Sequence, residues 1–314
     1  MNVSRNGHTA TLLANGKVLV IGGLDGSASA ELYDPTSNEW SDAGVVVEGR
    51  FHHTATLLAS GKVLLVGGGM GDNSPKEAQL YDPQTNTWSS AGSLSAIHSK
   101  HSATLLGSGK VLIADRNGTE IYDPTCNAWS AGPSMIQPRF GHSATLIGDK
   151  VLVAGGTGSF GNPLTSAEMY DLALDRWLPA NPMTDRRVSH TATLLLSGRV
   201  LVTQGGYVNA EFYDPATGDW MPTPVMNQRR GAHTATLLPD GTVLVVGGEG
   251  LNARSGTSEI YDPANDTWSP AAPLKQARYA HTATLLRSGQ VLVTGGFDFV
   301  NEGALATTEL YAVR

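Results

Sequence analysis

Short apolar and β-branched runs alternate with polar, glycine-rich breaks along the whole chain, and they do so with a regular beat. The phrase His-(Thr/Ser)-Ala-Thr-Leu-(Leu/Ile) begins at His8, His53, His101, His142, His190, His233 and His281. After each comes a tight turn such as Asn15-Gly16 or Asp240-Gly241, then a run such as Val18-Leu19-Val20-Ile21. In six of the seven copies that run ends in Gly-Gly. A segment like Glu31-Leu32-Tyr33-Asp34-Pro35 follows, and then a Trp at 40, 88, 129, 177, 220 or 268. Short β-rich runs bounded by Gly, Asn, Asp and Pro read as strands, four to a unit.

The spacing carries more than the words. Tyr to Trp is 7 residues and Trp to the next His is 13 in all six complete units. Nearly all length variation falls in one connection per unit, at residues 24–30, 69–78, 117–119, 157–167, 207–210, 249–258 and 297–308. A lone four-stranded sheet of this size cannot bury both faces, so the units must pack on one another. Packing antiparallel sheets radially about an axis gives a propeller. The sequence thus predicts an all-β, seven-bladed propeller filling 1–314 as one domain. Its blades fall near 5–44, 45–92, 93–133, 134–181, 182–224, 225–273 and 274–314, with the His phrases lining the axis. Seven His phrases stand against 6 Trp, so the last blade is expected to lack its outer strand.

This pattern resembles the kelch repeat, with its Gly-Gly pair closing the second strand, its Tyr before the next turn and its Trp beyond. The resemblance runs from Arg5 to Tyr311. It implies a propeller like the body of galactose oxidase, but not one function, since kelch propellers serve as protein-binding modules, mutarotase scaffolds and bodies of copper-radical oxidases. Those oxidases need a Cys cross-linked to a Tyr. The one Cys, Cys126, falls in a third-to-fourth-strand turn, opposite the variable loops, which argues against a copper site. The Glu-x3-Asp-x3-His stretch of iron-dependent plant specifier proteins is also missing. No metal or cofactor is expected.

Composition narrows the field. A net charge of −7 lacks the basic footprint that nucleic acid needs, so none is expected as partner. One Cys in 314 residues excludes a disulfide framework. No apolar run reaches the roughly 18 residues of a membrane span, so membrane insertion is not expected. The first residues carry no signal-peptide pattern, so the chain reads as cytoplasmic as written, or extracellular as an excerpt of a longer precursor. A monomer is expected.

Candidate chemistry lies where the repeat breaks. Arg stands three before the repeat His in six units and Glu two before the Tyr in six, and these read as structural partners, because buried charges must be paired. In the third unit Asp115-Arg116 replaces Gly-Gly, and His98 replaces the Arg. The residue before the repeat His is small in five units but is His52 and Lys100 in the other two. Four antiparallel strands place the variable loops and the entry to each first strand on one face, and function concentrates on such loops. The candidate ligand set is therefore Arg50, His52, His98, Lys100, Asp115, Arg116, Tyr207 and Tyr279, and the expected partner is a protein or glycan. The alternative is an isomerase-, mutarotase- or cyclase-like enzyme using His98, Lys100, Asp115, Arg116 and His52 for acid–base work. Convergence of these groups around an open pocket would favour the enzyme, and their being paired off would favour the binding module.

Overall fold

A computed structural model describes residues 1–24, 28–69, 74–203, 209–250, 256–298 and 303–312. Among them, six antiparallel sheets have four strands in simple sequence order, and a seventh has three. Blade 1 consists of Thr9–Leu12, Val18–Ile21, Ser29–Asp34 and Glu39–Val45. Each first strand touches those of both neighbouring blades, and Thr9–Leu12 touches Thr282–Leu285. The ring therefore closes as a seven-bladed β-propeller.

The unbroken apolar second strands follow from this geometry. Side chains alternate between the two faces of a strand, and both faces of each inner sheet are covered by a neighbouring blade. Val18 and Val20 pack with Leu286 and Leu292 of blade 7, whereas Leu19 and Ile21 pack with Val63 and Leu65 of blade 2. All four residues of Val18–Ile21 are 0% exposed. The core is thus seven inter-blade layers.

The outer part of each blade is built by the Tyr and Trp. They pair across the third and fourth strands with ring centroids 4.8 to 5.3 Å apart, from Tyr33–Trp40 to Tyr261–Trp268. The Tyr33 hydroxyl donates to Asn38 Oδ1 at 2.9 Å, and Asn38 turns the chain with φ of 58°. Asn tolerates that left-handed backbone better than most residues. The Trp then staples blades together: Trp88 Nε1 donates to the Ala43 carbonyl at 2.8 Å and Trp129 Nε1 to that of Ala91 at 2.7 Å.

Blade 7 is the exception. Its strands are Thr282–Leu285, Val291–Thr294 and Thr308–Tyr311, and the last has no outer neighbour among the described residues. The N-terminal segment clips onto this blade through Arg5 N–H to the Leu305 carbonyl at 3.0 Å and Gly296 N–H to the Arg5 carbonyl at 2.8 Å.

Candidate functional site at the axial mouth

The repeat Arg and Glu residues lock each regular blade on its variable-loop side. Arg139 Nη2 lies 2.7 Å from Glu168 Oε1, while Nη1 donates to the carbonyls of Gly155 at 3.0 Å and Ser166 at 2.7 Å. The pairs Arg5–Glu31, Arg187–Glu211, Arg230–Glu259 and Arg278–Glu309 repeat it at 3.2, 2.7, 3.0 and 2.8 Å. These arginines are 0 to 2% exposed. They are cross-braces inside blades, not open anion ligands.

The repeat histidines form a second ring. Each Nε2 is hydrogen-bonded to the Thr or Ser that follows the repeat His of the preceding blade. The links run His53 to Thr9 (2.9 Å), His101 to Thr54 (2.7 Å), His142 to Ser102 (2.9 Å) and His190 to Ser143 (2.9 Å). They continue with His233 to Thr191 (3.2 Å) and His281 to Thr234 (3.0 Å), and His8 closes the circle on Thr282 (3.0 Å). Burial, with the Arg5 charge second, pulls His8 down to about 3. Burial likewise leads in holding the other six at about 3, so the whole ring is neutral at ordinary pH. The first Gly of each described pair makes room for this arrangement. A Cβ on Gly22 would come within 2.4 Å of the Arg50 carbonyl oxygen and 2.8 Å of the His53 ring.

Above the histidines lies a third ring, made by the residue before each of them. Its backbone N–H groups donate to the equivalent carbonyl of the preceding blade: His52 to Gly7 (3.3 Å), Lys100 to His52 (3.1 Å) and Gly141 to Lys100 (2.7 Å). Ala232 to Ser189 (3.1 Å), Ala280 to Ala232 (2.9 Å) and Gly7 to Ala280 (3.2 Å) extend it. All seven residues have left-handed backbones, with φ from 49° to 63°. This explains the small residues read there in five units. The sequence signal for the ring was that run of Gly, Ser and Ala.

Blades 2 and 3 depart from the scheme, and the structure separates their residues by depth. His98 takes the Arg position and is 1% exposed. Its Nε2 lies 3.0 Å from Glu120 Oε1 and its Nδ1 3.0 Å from Asp115 Oδ1, the latter an ion contact without good hydrogen-bond alignment. A His is shorter than an Arg and cannot span to a glycine carbonyl, so the Asp115 carboxylate has come forward to meet it. The strand Val111–Asp115 accordingly pairs through to Gly118 instead of opening into a Gly-Gly bend. Burial opposes a charge on His98, but the two carboxylates prevail and raise it above the ordinary histidine value. Burial also acts on Glu120, yet the N–H groups of Ser95 and Ala96 together with His98 hold its carboxyl below the ordinary range.

Arg50 of blade 2 faces the opposite situation, because Gln79 stands where other blades have Glu. Its Nη1 reaches only the carbonyls of Gly67 and Glu77, both at 3.3 Å, and its Nη2 is buried without a partner. Burial brings this guanidinium down to about 10.

The exposed candidates are His52, Lys100 and Arg116. His52 packs on Phe51 with centroids 4.8 Å apart, and the Arg116 guanidinium sits 4.9 Å above the Phe140 ring. Tyr279 stands in blade 7, two blades from His52, with its ring 5.5 Å from that of Phe297. Tyr207 lies outside the described residues. His52, Lys100 and Arg116 are thus exposed on blades 2 and 3, whereas His98 and Asp115 are buried. Elsewhere, a cleft of about 490 Å³ opens among the short turns of the opposite face, between blades 5 and 6, walled by Leu196, Arg199, Met221, Asp240 and Tyr261.

The Kelch motif matches residues 5–44, 50–95, 138–184 and 230–275, more than half of the chain. The chain belongs to the kelch-repeat family. Among solved structures, this kelch propeller is similar to a fungal alcohol oxidase of the AA5 family in complex with copper. The identity is 21% and the TM-score 0.77, over 94% of this chain and 70% of the oxidase. It is also similar to YjhT, at 14% identity and a TM-score of 0.63, over 99% of this chain and 95% of that one. Both likenesses are of fold. No curated protein matches. The kelch chain's residues do not suit a copper centre of the oxidase kind. Cys126 is exposed on the turn face, the repeat histidines give Nε2 to the ring, and no metal-holding group of three His, Cys, Asp or Glu occurs among the described residues.

Proposed function

We propose that this kelch propeller is a binding scaffold that takes a protein or glycan ligand at the axial mouth of its variable-loop face. His52, Lys100 and Arg116 supply the polar contacts, and Phe51 and Phe140 offer flat apolar surface beside them. The observation that supports this reading is that, of the seven left-handed positions at the mouth, only those of blades 2 and 3 carry large polar side chains, His52 and Lys100, and both face solvent. Packing does not reward these side chains, because they are exposed. The two cations against a chain of net charge −7 favour an acidic ligand, such as a uronic or sulfated glycan or an acidic peptide.

The burial of His98 and Asp115, 1% and 3% exposed, supports binding over acid–base catalysis, which requires groups within reach of substrate. A glycan and acidic-peptide array, followed by titration of the best binder, tests the proposal. Wild type should bind with an affinity that weakens as salt rises, and Lys100→Ala with Arg116→Ala should weaken it at least tenfold. Unchanged binding by that double variant would discard this mouth as the site.

A further inference from the structure

On the face of the short turns, each of the first five blades pairs the Asp after its third-strand Tyr with a cation from the first-to-second-strand turn. Lys17 meets Asp34 at 3.1 Å, Lys62 meets Asp82 at 3.1 Å and Lys110 meets Asp123 at 2.9 Å. Lys150 meets Asp171 at 3.4 Å and Arg199 meets Asp214 at 3.1 Å. Blade 6 keeps the Asp, Asp262, but has Thr242 where the cation belongs. Asp262 accepts the Asn265 side-chain amide at 2.7 Å and the Ala264 N–H at 2.9 Å, and these bonds hold its carboxyl below the ordinary range. It is therefore a full negative charge with no paired cation among the described residues.

This carboxylate lines the cleft of about 490 Å³ between blades 5 and 6. A cleft of the same volume stands at the equivalent place between blades 1 and 2, lined by Ala14, Lys62, Asp82 and Gln84, and there Lys62 already satisfies Asp82. The two differ in a consistent direction. Leu196 stands where blade 1 has Ala14 and is 76% exposed, Met221 stands in place of Ser41, and Phe212 in place of Leu32. The junction also lacks its staple. Trp268 Nε1 is buried with no acceptor, whereas Trp88, Trp129, Trp177 and Trp220 each donate to a carbonyl of the blade before. The one cation in the lining, Arg199, is held by Asp214, and the remaining charges are Asp240, Asp262 and Asp266. An apolar wall has been added at the place where a lysine has been taken away.

We propose that this cleft binds a small organic amine, with its ammonium on Asp262 in place of the missing lysine and its apolar body against Leu196, Met221 and Phe212. The volume is that of a small-molecule site, in which apolar walls supply area and a few polar groups fix orientation. An ammonium brings donors and no acceptor, and its hydrogen bonds to a carboxylate are charge-assisted. An anion would meet three carboxylates, and an inorganic cation would leave the apolar wall unused. The site lies on the face opposite the axial mouth and does not rest on the reading of that mouth.

The test titrates hexylamine and phenethylamine into the intact chain, with hexanol as the uncharged control, and reads binding by ligand-observed NMR. Both amines should bind saturably to wild type, and at least fivefold more weakly to Asp262→Asn. Thr242→Lys, which restores the residue of blades 1 to 4, should abolish amine binding and leave the thermal melt of the free protein in place or raise it. Absence of saturable amine binding, hexanol binding as tight as hexylamine, or amine binding undiminished in Thr242→Lys would overturn the proposal. So would a lysine-containing peptide that bound more than tenfold tighter than either amine, since a polypeptide would then be the occupant.

Discussion

In blade 4 one long guanidinium reaches from Glu168 to the carbonyls of Gly155 and Ser166, and the Gly-Gly bend beside it keeps those carbonyls within range. In blade 3 the shorter His98 keeps the carboxylate contact to Glu120 and gains Asp115 in place of a glycine carbonyl. The comparison shows that the two departures in blade 3 are one change. Loss of the Arg removes the need for a bent glycine, and the Asp supplies the charge that a shorter cation can reach. Within the candidate cluster read from the sequence, His98 and Asp115 form a buried, rewired cross-brace, while their neighbours Lys100 and Arg116 are exposed.

The largest test of this contrast is acid. Below about pH 6.5 the histidines of the unfolded chain take up protons that the buried ring refuses until about pH 3. Stability should therefore fall as pH falls through that window, by about 1.4 kcal/mol per pH unit for each ring histidine. His98, whose folded value is raised, works in the opposite sense: its contribution is present below pH 6.5 and is lost as pH rises through the folded value. Urea melts from pH 3 to 8 read both slopes. A flat acid limb in wild type, or an unchanged neutral limb in His98→Gln, would break the distinction.

Next in size is the regular lock. Glu211→Ala leaves Arg187 buried beside an empty position and should cost about 3–5 kcal/mol by urea melting. Gln79→Ala, next to an Arg50 that already lacks a carboxylate, should cost clearly less. Equal losses would mean that the carboxylates are not what holds the arginines.

The coupling within blade 3 comes third. His98→Arg alone should lose about 1–3 kcal/mol, because the longer side chain meets Asp115 without a glycine carbonyl to use. Adding Asp115→Gly and Arg116→Gly rebuilds the regular pattern and should recover most of that loss. Additive effects would show that the replacements are independent.

The smallest effect concerns the mouth. Lys100→Gly relieves a left-handed backbone and should raise stability by about 1 kcal/mol, measured by thermal melting. The same variant should lose acidic ligands. A gain in stability with ligand binding intact would leave the strain at Lys100 without a purpose.

Much of this was legible in the chain. The strands, their order and the short seventh blade follow from spacing, and the Arg and Glu positions announced themselves as partners by keeping step. The depth of His98 and Asp115 was not legible, nor was the bond that makes them a pair. Both depend on side-chain reach between positions 17 apart in the chain, and a repeat records position but not distance. The left-handed ring left only the hint of small residues, because a backbone angle has no letter of its own.

What the sequence by itself determined is the architecture. Seven copies of one unit, each unable to bury its own sheet, have to share faces, and fixed Tyr-to-Trp and Trp-to-His intervals leave one way to do so. What only the tertiary structure decided is which polar residues are fittings and which are surface. Closure brings His8 of the first blade to Thr282 of the last and turns seven separate histidines into one neutral ring. The same closure buries His98 and leaves Lys100, two residues on, in solvent. The histidine pairing is a property of the closed ring, set by which atoms meet across blades, whereas the pairs of His98 and of the repeat arginines are made by side chains that meet within one blade.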